Sequence, residues 1–176
     1  IGANNGYYSI KLAELYKEIR IFAFEPKRQA YFKLKKTLDI NHRISKRVTL
    51  NNFGLSDQNS TEEMRSKVKY GYAQTGGSTI HDGKKFDDIK IYEANFKVGD
   101  QILNIKNSNL IIKIDVEGHE LNVLKGLKKI INQNNCILQI EIFKNFEITN
   151  KFLLDNKFNK ENTDVYNSNY FYSKKL

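Results

Sequence analysis

The chain has 176 residues, 40% of them hydrophobic and 12% aromatic, which is enough to enclose one α/β core and too apolar for a disordered chain. Lys and Arg number 29 against 20 Asp and Glu, a formal net charge of +9 that brings acidic partners into question. The lysines are scattered, however, and the densest runs, Lys33-Leu34-Lys35-Lys36 and Lys125 to Lys129, fall at helical spacing and read as solvated faces, so nucleic acid is not the expected partner. The single cysteine, Cys136, lies in an apolar run and reads as a buried strand residue; with no intrachain disulfide possible, a reducing, cytoplasmic setting is expected. No apolar run reaches the ~18 residues that a membrane-crossing helix needs.

Taken in chain order, Ile1 reads as the end of a strand whose start is missing, running into the turn Gly2-Ala3-Asn4-Asn5-Gly6. A helix should follow, with Ile10, Leu12, Ala13, Leu15, Tyr16 and Ile19 on one face and Asn5 or Ser9 as its cap. Ile21-Phe22-Ala23-Phe24 is a short continuous apolar run, stopped by Glu25-Pro26, as in a buried parallel strand. Residues 27 to 40 give a second helix with Tyr31, Leu34 and Leu38 inward, and Val48 to Phe53 a strand leading into Gly54-Leu55-Ser56-Asp57.

From 58 to 97 the rhythm breaks. The stretch is polar, holds Gly76-Gly77-Ser78 and alternates from Ile89 to Tyr92, which reads as an insertion, a hairpin and a lid. A strand then covers 110 to 115, and a helix covers 118 to 134 with Leu121, Leu124, Leu127 and Ile131 inward. Ile137 to Phe143 gives another strand, 147 to 155 a short helix, and the segments around Phe158 and Tyr170 to Tyr172 an antiparallel pair at the sheet edge. Alternating strands and helices predict a single α/β domain built on a doubly wound, mostly parallel sheet with an antiparallel C-terminal edge.

In such sheets ligands bind beyond the carboxyl ends of the strands, which selects Gly2 to Gly6, Glu25, Asn51 to Asp57, Asp115 to His119 and Glu141. The glycine turn suits close backbone approach to a ligand at a helix N-terminus, although a tight turn alone would also use glycines. Its spacing departs from G-x-G-x-x-G, which disfavours a dinucleotide pyrophosphate. Glu25 follows about 20 residues later, the interval at which a strand-end carboxylate accepts from two ribose hydroxyls; a solvated glutamate would look the same in isolation.

Asp115-Val116-Glu117-Gly118-His119-Glu120 brings acids and an imidazole to the end of a strand. Helix capping accounts for the acids but not for His119, whose ring suits removal of a proton from a substrate hydroxyl. Asp115, Glu117 and His119 would share a face and suit a metal only if the strand ran on past Gly118, and no metal is expected. His42 and His81 read as surface residues.

Ile1-Gly2-Ala3-Asn4-Asn5-Gly6-Tyr7-Tyr8-Ser9, Phe24-Glu25-Pro26, Leu55-Ser56-Asp57, Gly76-Gly77-Ser78, and Ile112 to Glu120 with Leu124-Lys125-Gly126 resemble, in order, the successive blocks of the FkbM methyltransferase family. Ile140-Glu141-Ile142-Phe143 is similar to its last core strand, and the family's first block ordinarily opens with an Asp just before the position of Ile1. The resemblance implies a Rossmann-like fold, S-adenosylmethionine as methyl donor, and a hydroxyl acceptor on a sugar or other small natural product. By position it puts Gly2, Asn4 and Gly6 at the donor's amino-acid end, Glu25 at its ribose, and Asn52 and Asp57 near its adenine. Asp115, Glu117 and His119 would border the methyl group and the acceptor, with His119 or Asp115 as the base. An NAD-dependent dehydrogenase, a nucleic-acid methyltransferase and a non-catalytic glycan-binding module are the competing readings.

Overall fold

The computed structural model describes residues 1–69, 72–73, 78–80, 89–164 and 168–176. Gly76, Gly77 and His81 lie outside them. The chain forms two compact units, one of Ile1–Gly54 and Thr61–Phe96, the other of Leu55–Ser60 and Lys97–Leu176.

In the first unit α1 (Tyr7–Leu15), β1 (Ile21–Phe24), α2 (Arg28–Ile40), α3 (His42–Ser45) and β2 (Val48–Asn51) follow the expected alternation. β1 and β2 are parallel, paired from Ile21↔Val48 to Phe24↔Asn51, with α2 in the crossover between them. Ala13, Ala23, Leu34, Leu38, Ile44 and Val48 form the core here. α1 is shorter than the apolar pattern suggests because the Arg47 guanidinium donates to the carbonyls of Ala13 and Tyr16, satisfying the last turn from outside. Leu15 and Tyr16 are consequently exposed. Neither Asn5 nor Ser9 caps it: Gly6 occupies the cap position with φ 87° and no side chain bonds there.

The insertion is β-structured. β3 (Gly54–Ser56) precedes β4 (Ser60–Lys69), β5 (Tyr72–Ala73), β6 (Thr79–Ile80) and β7 (Ile89–Val98), in the hydrogen-bonded order β3-β7-β4-β5, with β6 on β4. β4 runs antiparallel to both β5 and β6. Met64, Ala94 and Phe96, with Ile80 and Tyr92 packed on them, make a second small core.

In the second unit α4 (Gly99–Ile102), β8 (Asn109–Ile114), α5 (Glu120–Gly126), α6 (Lys128–Asn132), β9 (Asn135–Glu141), α7 (Phe146–Asp155), β10 (Asn159–Asp164) and β11 (Asn169–Lys174) build a sheet of order β10-β11-β9-β8. β8 and β9 are parallel, from Asn109↔Asn135 to Ile114↔Ile140, while β9–β11 and β10–β11 are antiparallel, the expected C-terminal edge. The helix expected over 118 to 134 is two short helices. The break follows from Asp100, whose carboxylate accepts from the N–H groups of Lys129 and Ile130 and so starts α6 afresh. Cys136 is buried in β9, and burial pushes its thiol up to about 11.

The fold is therefore mixed α/β. Among the pairs whose register is described, only β1–β2 and β8–β9 are parallel; β4–β5 and β10–β11 follow each other through short connections that favour antiparallel neighbours, and β11 returns antiparallel beside β9 after the longer passage through α7 and β10. Among the described residues no helix is long and apolar enough to cross a membrane.

Candidate functional site

In the first unit the glycine turn is tied to the end of β1. Gly2 and Ala3 both donate to the Phe24 carbonyl, at 3.1 and 3.0 Å, and Gly6 donates back to Ala3 at 2.9 Å. Gly2, Asn4 and Gly6 have φ of 74°, 50° and 87°, the left-handed region in which a side chain is costly. A Cβ on Gly6 would also overlap Leu34 of α2, so that glycine serves packing as well as the turn.

The Glu25 carboxylate closes this turn, accepting from Asn4 N–H at 2.7 Å and from Lys27 N–H at 2.9 Å. It is 6% exposed. Burial pushes its acidity toward the neutral form, opposed by those two N–H bonds and by the Lys27 charge. The Asn52 amide donates to the carbonyls of Glu25 and Pro26 at 2.9 and 3.3 Å and holds the strand-end bend. Gly2, Asn4, Gly6, Glu25 and Asn52 are thus brought together. Among the described residues the buried Asn4 Oδ1 has no hydrogen-bond partner, which makes it an acceptor suited to a ligand's amino group. Each Glu25 oxygen keeps a second lone-pair direction for a ligand hydroxyl.

The second unit holds the remaining residues. Asp115 follows β8 directly, with its Oδ2 2.6 Å from Lys113 Nζ. Glu141 ends the neighbouring β9, one residue past the Ile114↔Ile140 pair, which sets the two carboxyls side by side. Burial and then the Asp115 charge push the Glu141 carboxyl up to about 7, opposed by Lys113.

Glu117 and Gly118 have φ of 55° and 104°, so β8 ends before the alternation that a three-residue metal face would need. Strain at a non-glycine residue such as Glu117 persists only where its surroundings fix it. Among the described residues no group of three or more His, Cys, Asp or Glu is placed to hold a metal ion.

The His119 Nε2 lies 2.9 Å from Ser56 Oγ, and Ser56 Oγ lies 3.1 Å from Asp57 Oδ1, which also accepts from the Asn122 amide at 3.0 Å. When Ser56 donates to Asp57, its oxygen accepts from Nε2–H of the imidazole. Asp57 is held below the usual carboxylate range chiefly by the Asn122 bond. Asp57 is therefore placed beside His119, in the second unit, while Asn52 belongs to the first. Glu120 does not cap its helix as a free acid: it is 2% exposed and accepts from Gly118 N–H at 2.7 Å.

Lys27 in the first unit and Asn122 in the second were not selected from the sequence, while Ser56 and Glu141 were selected as strand-end residues without an assigned role. Ser56 and Glu141 lay within recognisable blocks, but nothing in a sequence distinguishes a bonded serine from a spacer.

One consequence is measurable. An acid whose folded value is raised destabilises the fold above that value, and the cost disappears as pH falls toward its ordinary range. Glu141→Gln is expected to melt above the unsubstituted chain at about pH 8 and to lose that advantage near pH 5. Thermal melts across this range check it, and an advantage independent of pH would show that repulsion by Asp115 is not its source.

A family model described as the methyltransferase FkbM domain matches residues 1–159. Among solved structures, the methyltransferase FkbM from Methylobacillus flagellatus KT is similar with a TM-score of 0.66 at 19% identity, covering 98% of this chain and 42% of that one. The precorrin-6y C5,15-methyltransferase from Geobacter metallireducens GS-15 is similar with a TM-score of 0.51 at 14% identity, covering 100% of this chain and 78% of that one. These likenesses show the fold, and the chain spans less than half the length of the first. No curated protein matches the sequence.

Proposed function

Because the chain belongs to the FkbM methyltransferase family, we propose that it binds S-adenosylmethionine and methylates a hydroxyl on a sugar or other small natural product. In this reading residues 1–176 are a single Rossmann-like, doubly wound methyltransferase domain with the 58–97 insertion as a lid. The observation that carries the donor assignment is the turn clasped by Glu25, in which Asn4 Oδ1 is buried without a partner among the described residues. An unsatisfied buried acceptor costs about 1–3 kcal/mol and is retained where a ligand donor completes it.

S-adenosylmethionine supplies, when bound, a methyl group on a positively charged sulfur. The chain's own residues align and deprotonate. Asn4 and the backbone of Gly2 and Gly6 hold the amino-acid end, Glu25 takes the ribose hydroxyls, and Asn52 fixes the bend that aims Glu25. Asp57 lies toward the adenine. His119 or Asp115 removes the acceptor's proton while Glu117 orients the acceptor, and methyl transfer to oxygen then needs mainly alignment.

Glu25→Gln keeps the shape of the side chain but removes one acceptor and the charge. It is expected to weaken S-adenosylhomocysteine binding by about 10- to 100-fold, the worth of a hydrogen bond to a charged group. Calorimetric titration measures this, and an unchanged affinity would remove Glu25 from the donor site.

A further inference from the structure

Lys27 is 3% exposed, an unusual place for an ammonium. Its Nζ donates to Ser66 Oγ on β4 at 2.8 Å and to Ser78 Oγ, just before β6, at 3.3 Å, and it stands 5.7 Å from the ring centre of Tyr92 on β7. Ser66 is fully buried and lies 2.7 Å from Ser78, oxygen to oxygen. One side chain from the residue two places after Glu25 therefore reaches three segments of the insertion, while its own N–H is bonded to the Glu25 carboxylate.

We propose that Lys27 is a positioning residue for donor binding: with its side chain anchored to Ser66 and Ser78 and its N–H bonded to the Glu25 carboxylate, it holds the Glu25 turn in place. The inference rests on the reading of Glu25 as the ribose ligand.

Burying a lysine costs several kcal/mol unless the ammonium is paired and hydrogen-bonded. Two hydroxyls and an aromatic face are among the partners of its donors, and the Glu25 charge also favours the ammonium. Burial lowers the basicity of Lys27 and Glu25 raises it, with Lys33 on α2 and Lys90 on β7 opposing. Facing Glu25 in turn are Lys27 and, from β7, Tyr92. With the ammonium gone, burial of Glu25 acts with less opposition, and a proton then occupies the carboxyl in competition with the ribose hydroxyls.

The test is calorimetric titration with S-adenosylhomocysteine at pH 6.0 and 8.5 for the unsubstituted chain, Lys27→Met, Lys27→Arg, Ser66→Ala and Glu25→Gln. Lys27→Met, which fills the same space with an apolar chain, is expected to bind about threefold or more weaker at pH 6.0 than at pH 8.5 relative to the unsubstituted chain, the sign that an upward movement in Glu25 requires. Lys27→Arg retains affinity at both values, and Ser66→Ala shows the pH-dependent loss at about a third of its size. The last two variants carry the test if Lys27→Met does not fold. Equal loss at both pH values, or none, overturns the proposal. If Glu25→Gln binds as tightly as the unsubstituted chain, the ribose reading itself fails; if Glu25→Gln is weak while Lys27→Met shows no pH dependence, only the role of Lys27 does.

Discussion

Asp115→Asn and His119→Ala, made separately, are expected to lower the single-turnover rate of methyl transfer by about 10²- to 10⁴-fold in whichever has lost the proton acceptor, and by about tenfold in the other. Both residues are proposed as the base, and their surroundings differ. His119 is oriented through Nε2 by Ser56, which Asp57 holds in turn. Asp115 has one oxygen on Lys113 and a carboxyl neighbour in Glu141.

If His119 is the base, the Ser56–Asp57 relay fixes its tautomer, much as a carboxylate orients an imidazole in other proton transfers. If Asp115 is the base, the larger rate loss should fall on Asp115→Asn. Either outcome should leave S-adenosylhomocysteine affinity within about threefold of the starting value, since neither residue is assigned to the donor. The acceptor is first found by screening glycans and small alcohols for incorporation of labelled methyl. Unchanged rates in both variants would remove the assignment of the base.

Gly126→Ala is expected to destabilise the second unit by about 3 kcal/mol or more, seen as a fall in the denaturant midpoint. Helix propensity alone predicts the opposite sign, because alanine is favoured over glycine inside a helix by about 1 kcal/mol. At this position an added Cβ would overlap the carbonyl of Ser56, with Asp57 N close behind. These are backbone atoms, which cannot swing aside as a side chain would.

The glycine therefore lets α5 lie directly on the segment that carries Ser56 and Asp57, the partners of His119 and Asn122. Lys125→Ala, on the exposed face of the same helix, is the matched control and is expected to stay within about 0.5 kcal/mol. A stabilised Gly126→Ala would mean that this close approach is absent.

Much of the fold was legible because its signals are local. Ile21 to Phe24, a short apolar run ended at Pro26, reads as a buried strand; it is a strand, with Ala23 and Phe24 buried and Phe22 exposed. The C-terminal antiparallel pair was equally plain from its aromatic segments. What failed was decided at long range. α1 stops early because Arg47, some thirty residues on, takes its last carbonyls, and the expected long helix divides because Asp100 starts α6. Neither interaction leaves a trace in the periodicity of the helix it ends.

The candidate site divides along the same line. Gly2, Gly6 and Gly118 announced themselves as turn residues, and all three adopt positive φ. Glu25 was identified by its interval from the turn, but its bonds to Asn4 and Lys27 could not be. Nothing in the sequence sets Lys27 apart from the other lysines; its burial exists only once β4 and β7 have been laid beside it.

The most direct trial of the account is a pair of calorimetric titrations of the unsubstituted chain, one with S-adenosylhomocysteine and one with NAD. Saturable one-to-one binding of S-adenosylhomocysteine, with no heat from NAD, is the predicted result. Binding of NAD with no response to S-adenosylhomocysteine, or no response to either, would contradict it.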